Sequence, residues 1–290
     1  MAAIDSQITH VSDTALMTAA CRAVETARPD GWLCDPFAER LAGERGMAIL
    51  RDLPGKELMC FGVGMRSRIL DDLVAETVAT QGITTVLSVG AGLDTRPWQI
   101  QLPESLLWVE VDLPPVLDYK ATVLANEKPS CRLERLAADV NNPPEREAIF
   151  ARAGGGPAIL ITEGLLMYLP AATIEALAAE SLRAAGVGCW ILDMTTRQAA
   201  TVLASANTFQ GVNDVRAPDH LDGEALVERV TAAGWLPTVR RTYAADGMKL
   251  LHPERLEKII QARVVAEAAG NAAPRPPADD LSGVHLFVRP

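Results

Sequence analysis

The sequence predicts an α/β protein built on a largely parallel sheet. From residue 84 onward, short apolar runs with strand character alternate with helical stretches rich in Ala, Leu and Glu. This alternation is typical of βαβ units. Of the 290 residues, 49% are hydrophobic and 22% are charged, which suffices for a sizeable core. We expect a single domain over residues 1–290.

Seven apolar runs qualify as strands. They cover residues 84–89, 106–111, 133–138, 158–162, 190–194, 236–243 and 284–289. Between the second and third runs, residues 114–127 open with two prolines, which suit the first turn of a helix. The helical stretches 171–186 and 222–234 each end in a glycine, which suits a helix C-cap. The crossover connections should be right-handed.

The remaining segments frame this sheet. Residues 12–27 and 62–79 show helical periodicity, so residues 1–80 are predicted to form a helical cap that precedes a cofactor-binding core over 81–194. Residues 195–221 interrupt the alternation and are predicted to form a cap insert. Residues 222–290 then complete the sheet.

Composition narrows the classes of partner. Lys and Arg number 27 against 37 Asp and Glu, a net charge of −10, which disfavours nucleic acid and anionic membrane surfaces. No run of about 18 apolar residues occurs, so we expect neither a membrane span nor secretion. The five scattered cysteines predict free thiols in a reducing compartment, and no His/Cys/Asp cluster has metal-ligand spacing. We expect a cytoplasmic protein with a small-molecule partner and no metal.

The first strand ends in a glycine turn that resembles half of a dinucleotide fingerprint. Gly90 and Gly92 fit the pattern, Thr95 stands where the third glycine should be, and Asp112 follows Gly92 by 20 residues. Asp94 would repel a pyrophosphate at the helix N-terminus. A nucleoside with a cationic tail removes the conflict, which points to S-adenosylmethionine. Asp94 would then lie near the ammonium group or cap the next helix.

Two further acids end neighbouring strands. Asp139 follows the third strand and Glu163 follows the fourth. Carboxyl ends of parallel strands meet at one edge of the sheet, where such folds bind ligands. Together with Asp112, these acids predict a site along that edge.

Several segments carry a family resemblance. "VGAGLDTRPW", "VEVDLPPVLDYK", "AADV" and "TEGLLMYL" resemble the leucine carboxyl methyltransferase and tetracenomycin-type polyketide O-methyltransferase family of class I S-adenosylmethionine-dependent methyltransferases. "TALMTAACRAVE", "DPFAERLAG" and "MRSRILDD" extend the resemblance over roughly residues 10–195. It implies a Rossmann-like seven-stranded sheet in the order 3-2-1-4-5-7-6, with the last strand antiparallel.

The resemblance also implies a set of cofactor-binding residues. The set comprises Arg66, Gly90, Ala91, Gly92, Asp94, Asp112, Leu113, Asp139, Val140, Glu163 and Gly164. The glycine turn would pass under the methionine portion, and Asp112 would bind the ribose hydroxyls. Asp139 and the Val140 backbone would hold the adenine, and Glu163 would lie near the amino group.

An arginine is expected to bind the carboxylate of the cofactor. Arg66 in "MRSR" is the first choice, and Arg22 in "AACRAVE" is the second. Such a charge-assisted contact contributes about 1.5–3 kcal/mol.

The expected reaction is O-methylation of a small molecule, most simply the carboxylate of a polyketide-like or other organic acid. A carboxylate is already ionised at neutral pH and needs no general base, whereas a phenol would benefit from one. Candidate bases are few: His10, His220, His252, His285 and Tyr168. Tyr168 and His220 are predicted to contact the substrate.

Three alternatives stay open at this stage. They are methylation of a hydroxyl or phenol, a nicotinamide-dependent oxidoreductase, and a cofactor-binding module without catalysis. The sequence does not specify the oligomeric state.

Overall fold

A computed structural model describes residues 7–8, 10–200, 212, 215–268 and 280–290. Part of the predicted insert and the whole of the segment 269–279 lie outside these residues. One seven-stranded sheet organises the described chain. Its strands are β1 (Thr85–Val89), β2 (Leu107–Asp112), β3 (Arg132–Ala137), β4 (Ala158–Thr162), β5 (Val187–Met194), β6 (Leu236–Thr242) and β7 (Gly283–Val288).

The strand order is 3-2-1-4-5-7-6. The first five strands in this order, β3, β2, β1, β4 and β5, pair in parallel. Strand β7 runs antiparallel to both of its neighbours, β5 and β6. The fold class and the strand order expected from the resemblance are confirmed. Because the order reverses next to β1, the carboxyl ends of β1 and β4 flank the crevice where ligands bind in open α/β sheets.

Helices cover both faces of the sheet and form the cap. They are α1 (Val11–Thr26), α2 (Ala38–Asp52), α3 (Lys56–Gln81), α4 (Arg96–Gln99), α5 (Pro114–Val123), α6 (Pro143–Ala151), α7 (Ala171–Arg183), α8 (Gly223–Ala232), α9 (Met248–Leu250) and α10 (Pro253–Ala268). Residues 197–200 are also helical.

The cap differs from the prediction in two places. Helix α2 was not predicted as a separate helix. It contains Gly43 at φ 56°, and because glycine has a low helix propensity, this residue interrupts the helical pattern of the sequence. Helix α3 begins at Lys56, six residues earlier than predicted, directly after Gly55 in the left-handed conformation. The Pro54–Gly55 pair therefore marks the boundary.

The core follows from the alternation of side chains along the strands. Leu87 of β1 packs on one face in a cluster with Trp190 and Trp235, whose rings meet edge to face with centroids 5.9 Å apart. Val86 packs on the opposite face with Leu70 of α3. Helix α3 therefore lies against the sheet and leads directly into β1, which positions its polar side chains above the carboxyl edge. None of the described helices combines the length and the apolar character of a membrane span.

Candidate functional site

A cavity of about 320 Å³ opens at the carboxyl edge of β1, β2, β3 and β4. It is lined by all eleven residues of the predicted cofactor-binding set: Arg66, Gly90, Ala91, Gly92, Asp94, Asp112, Leu113, Asp139, Val140, Glu163 and Gly164. Tyr168 also lines it, together with Arg22. The structure thus brings residues from six parts of the chain to one site.

The glycine turn after β1 is held by the acid at the end of β2. Gly90 and Gly92 have φ values of 68° and 46°, in the left-handed region that glycine adopts at low cost. The Asp112 carboxylate accepts hydrogen bonds from the backbone N–H of Gly92 and of Leu113, each at 2.7 Å. Burial raises the pKa of Asp112, and these two N–H groups oppose the rise. Each carboxylate oxygen retains capacity to accept a further hydrogen bond.

Arg66 on α3 reaches over the sheet edge to two carboxylates. Its Nε donates to Glu163 at 2.9 Å, and its Nη1 donates to Asp193 at 3.2 Å. Asp193 is the penultimate residue of β5, and it also accepts the backbone N–H of Gly164 at 2.6 Å. The ends of β4 and β5 are therefore joined through one guanidinium from the cap.

A second arginine, Arg96, lies beneath the same carboxylate. It donates to Glu163 at 2.7 Å and to Asp71 of α3 at 2.7 Å, and it contacts Asp94 at 3.1 Å. Its side chain is 4% exposed. The site therefore contains a buried network in which two arginines face four carboxylates: Asp71, Asp94, Glu163 and Asp193.

The pKa values reflect this excess of negative charge. Burial alone would raise the pKa of Glu163, but Arg96 and Arg66 hold it at about 2. Burial raises the pKa of Asp71 to about 6, against the attraction of Arg96. Burial likewise raises the pKa of Asp193, with Arg66 opposing. The two arginines therefore stabilise the ionised form of Glu163 and leave Asp71 and Asp193 undercompensated.

Asp94 has a local partner in addition to its place in the cavity. Its Oδ1 accepts the backbone N–H of Arg96 at 3.0 Å, at the first residue of α4. The N-cap of α4 is Thr95, which makes no side-chain cap hydrogen bond, so Asp94 precedes the N-cap and does not fill the N-cap role that the sequence suggested for it. The same carboxylate still faces the cavity, so its role toward a ligand stays a prediction.

The residues predicted to hold adenine lie at the β3 end of the cavity. Asp139 accepts the backbone N–H of Asn141 at 2.9 Å, and the Val140 carbonyl accepts from Arg146 at 2.9 Å. Arg22, the second choice for a cofactor carboxylate, is bound to Asp35 at 2.9 Å and to the Leu93 carbonyl at 2.6 Å. Arg22 thus ties α1 to the glycine turn.

The candidate bases differ in their positions relative to the cavity. All four histidines are described, and His10 is the one that lines the cavity. His220 is not brought there, and its Nδ1 lies 2.8 Å from the Ala217 carbonyl. His285 is buried on β7 against the Leu281 carbonyl. Burial raises the pKa of Tyr168, while a hydrogen bond with Thr14 lowers it.

Sequence reasoning missed three members of the charge network. Asp193 satisfies the rule already applied to Asp112, Asp139 and Glu163, because it lies at the carboxyl end of strand β5. Arg96 lies in the quoted "GLDTRPW" segment. Asp71 gives no local signal, because its role depends on where α3 crosses the sheet. Within the described ranges, no group of three or more His, Cys, Asp or Glu side chains is arranged to hold a metal ion.

Comparison with known proteins identifies the family. The family model for leucine carboxyl methyltransferase matches residues 15–181. A Streptomyces avermitilis protein named "Putative S-adenosyl-L-methionine-dependent methyltransferase" is 34% identical over 177 residues, 57% of this chain and 62% of that protein. One of the same name from Mycobacteroides abscessus is 37% identical over 183 residues, 59% of this chain and 58% of its own. The chain thus spans about three fifths of these relatives.

Solved structures share the fold. A DUF574 family protein from Streptomyces avermitilis has a TM-score of 0.55 at 17% identity, covering 94% of this chain and 97% of its own. A protein described as a "putative methyltransferase" from Thermobifida fusca has a TM-score of 0.55 at 18% identity, covering 98% and 95%. At these identities the likeness concerns the fold alone. The family match over more than half of the sequence carries the assignment: this chain belongs to the leucine carboxyl methyltransferase family.

Proposed function

We propose that this chain binds S-adenosylmethionine in the cavity at the sheet edge and transfers its methyl group to an oxygen of a small-molecule acceptor. The observation that carries the proposal is the buried network in which two arginines face four carboxylates at the end of a glycine turn. The names of the relatives and the family match support the cofactor and the methyl transfer, and the oxygen acceptor is part of the proposal. We further propose that the described elements act as one methyltransferase domain.

Charge complementarity supports this cofactor over a dinucleotide. S-adenosylmethionine has a sulfonium and an ammonium group against one carboxylate, so it brings net positive charge to an acid-rich site. A pyrophosphate would bring two negative charges into a network that already holds four carboxylates against two arginines, and in which neighbouring carboxylates help to raise the pKa values of Asp71 and Asp193. Removing a charge from water without compensation is costly, so the site favours a cation.

The proposed contacts divide along the cavity. Asp112 binds the ribose hydroxyls, since its oxygens can accept bonds beyond those from Gly92 and Leu113. Asp139 and the Val140 backbone hold the adenine. Glu163 faces the ammonium group. Arg66 binds the carboxylate through Nη2, which donates to none of the described residues.

The reaction needs orientation more than proton transfer. The sulfonium activates the methyl group, and alignment of nucleophile and methyl can contribute about 7–11 kcal/mol. For the acceptor, the described lining favours a carboxylate. The Tyr168 hydroxyl has a raised pKa and stays protonated near neutrality.

His10 fits the same interpretation. Its Nδ1 lies 3.2 Å from the backbone N of Ser12, which can only donate, so the neutral ring carries its proton on Nε2. In this tautomer the Nε2–H group is a hydrogen-bond donor. His10 and Tyr168 therefore suit the binding of an anionic oxygen, and we propose a carboxylate of a polyketide-like or other organic acid. The unpaired cysteines favour action in the cytoplasm.

Calorimetric titration tests the cofactor. S-adenosylmethionine and its demethylated product S-adenosylhomocysteine should bind in the micromolar range, and NAD should show no saturable binding. Saturable binding of NAD in place of S-adenosylmethionine would overturn the proposal.

The acceptor class is tested with radiolabelled methyl donor and panels of organic acids and phenols. A methyl ester releases its label as methanol in mild base, whereas an aryl methyl ether retains it. Label that survives base would contradict carboxyl methylation, and tight cofactor binding without turnover on either panel would favour a module without catalysis.

A further inference from the structure

A second cavity of about 590 Å³ lies in the helical cap, away from the carboxyl edge of the sheet. Helices α1 and α2, the first turns of α3, and α10 form its walls. Its volume is in the range of small-molecule sites. The floor is apolar and includes Val24, Met47, Leu50, Leu58 and Phe61.

The charged residues around this floor are mainly cationic. Two carboxylates, Glu25 and Glu57, line the cavity beside five cations: Arg28, Arg51, Lys56, Arg255 and Lys258. This local balance is opposite to that of the whole chain, whose net charge is −10. The cavity is therefore a positive, partly apolar region on an acidic protein.

Two of these cations are already engaged in the fold. Arg255 donates to both oxygens of Glu25 at 2.7 and 2.9 Å, and its guanidinium carbon lies 4.1 Å from the centroid of the Trp32 ring. Arg28 is paired with Asp30 at 2.8 Å. These groups shape the wall and are not available to a ligand.

The remaining cations lie on the rim with weak partners. Lys56 donates to the Arg51 carbonyl at 3.2 Å, and Arg51 contacts its exposed neighbour Asp52 at 3.4 Å. No carboxylate of the described chain pairs with Lys56 or Lys258. Their charges are open to a ligand that enters over the apolar floor.

The start of α3 adds to this positive rim. The helix is 26 residues long, and its N-cap Gly55 provides no side-chain hydrogen bond. Its first-turn residues Lys56, Glu57 and Leu58 line the cavity. The unpaired N–H groups of a helix start carry partial positive charge, which favours an anionic group at this rim.

We propose that the cap cavity binds an amphipathic monoanion, with an apolar body on the floor and a carboxylate head group between Lys56 and Lys258. The carboxylate of Glu57 on the same rim favours one negative charge over two. This inference does not depend on the methyl-transfer proposal, because the site shares none of its lining residues with the cavity at the sheet edge.

The test is calorimetric titration of the full chain with decanoate, kept below its micellar concentration. Decanoate should saturate one site, while decyltrimethylammonium, which has the same chain length and the opposite charge, should not bind. The double variant K56Q/K258Q should weaken decanoate binding at least tenfold. Its matched control, K128Q/K249Q, removes the same charge outside the cavity and should leave the affinity unchanged.

The location is tested by filling the floor and by competition. M47W should abolish decanoate binding with an unchanged melting temperature, and saturating S-adenosylhomocysteine should not displace decanoate. Equal binding of the cationic amphiphile, equal loss in both lysine variants, or displacement by S-adenosylhomocysteine would overturn the proposal. Absence of decanoate binding to the unmodified chain would overturn it as well.

Discussion

Replacement of Asp112 by Asn tests the ribose contact directly. In the structure, Asp112 accepts one hydrogen bond at each oxygen, from the backbone N–H groups of Gly92 and Leu113. The proposed ribose hydroxyls would add bonds to an ionised acceptor. A hydrogen bond to a charged group contributes about 1.5–3 kcal/mol, so Asp112→Asn should weaken cofactor binding by roughly 10- to 100-fold.

Asn is preferred to Ala because its single amide oxygen still accepts one of the two backbone N–H groups that Asp112 binds, from Gly92 and Leu113. Asp112→Ala leaves the Gly92 and Leu113 N–H groups without their acceptor, so its effect combines lost binding with a disturbed turn, and we expect a loss of at least tenfold. Asp118→Asn is the matched control, since Asp118 is exposed on α5 and does not line the cavity. It removes the same charge and should bind the cofactor normally.

Two ligands make the assay specific for the ribose. S-adenosylhomocysteine contains ribose and an amino-acid tail, whereas 5′-methylthioadenosine contains the ribose without that tail. Calorimetry should show that Asp112→Asn weakens both ligands by a similar factor. An affinity equal to that of the Asp118→Asn control, or a loss confined to S-adenosylhomocysteine, would refute the ribose assignment.

Three other perturbations address the charge network and the turn. Glu163→Gln should destabilise the fold by roughly 2–3 kcal/mol at pH 7, because pairing with arginine holds the pKa of Glu163 at about 2. In thermal melts, this loss of stability should become smaller as the pH falls below 4.5. The control Glu134→Gln, at an exposed ion pair, should change the stability little. The affinity for S-adenosylmethionine should fall up to about tenfold between pH 7 and pH 5, because Asp71, with a pKa of about 6, takes up a proton and the site loses negative charge. Calorimetry measures the affinity at each pH, and the Asp71→Asn variant should not show this fall. Gly90→Ala should cost about 1–2 kcal/mol, since φ is 68° and its Cβ would lie 2.8 Å from Leu165 Cδ1; chemical denaturation measures this, and an unchanged midpoint would contradict it.

The strands of the sheet could be predicted because each one has a local sequence pattern. Apolar runs bounded by Gly, Pro and Asp fixed six of the seven strand starts to within one residue, while β5 begins at Val187 rather than residue 190. Gly188, inside this strand, weakens the pattern at its start. The strand order itself came from the family resemblance, since crossover length alone does not order a sheet.

Some residues of the candidate site could also be predicted from local sequence, and others could not. Residues at strand ends were predictable, because a position just after a parallel strand determines the edge on which it lies. The pairing of Arg66 with Glu163 was not predictable, since it depends on how α3 crosses the sheet nearly 100 residues before Glu163. His220 was selected for its place in the insert, but the start of α1 brings His10 to the cavity instead.

The charge network links stability and the proposed binding through the same groups. Arg66 is held between Glu163 and Asp193, so it is oriented before a cofactor carboxylate arrives, and little ordering entropy remains to be lost on binding. The undercompensated acids in turn favour a ligand with net positive charge. When the methyl group leaves, a sulfonium becomes a neutral thioether, and the attraction to Asp71, Asp94 and Asp193 weakens. The same acids that attract the cofactor would therefore assist release of its product, because the charge that they bind is lost in the reaction.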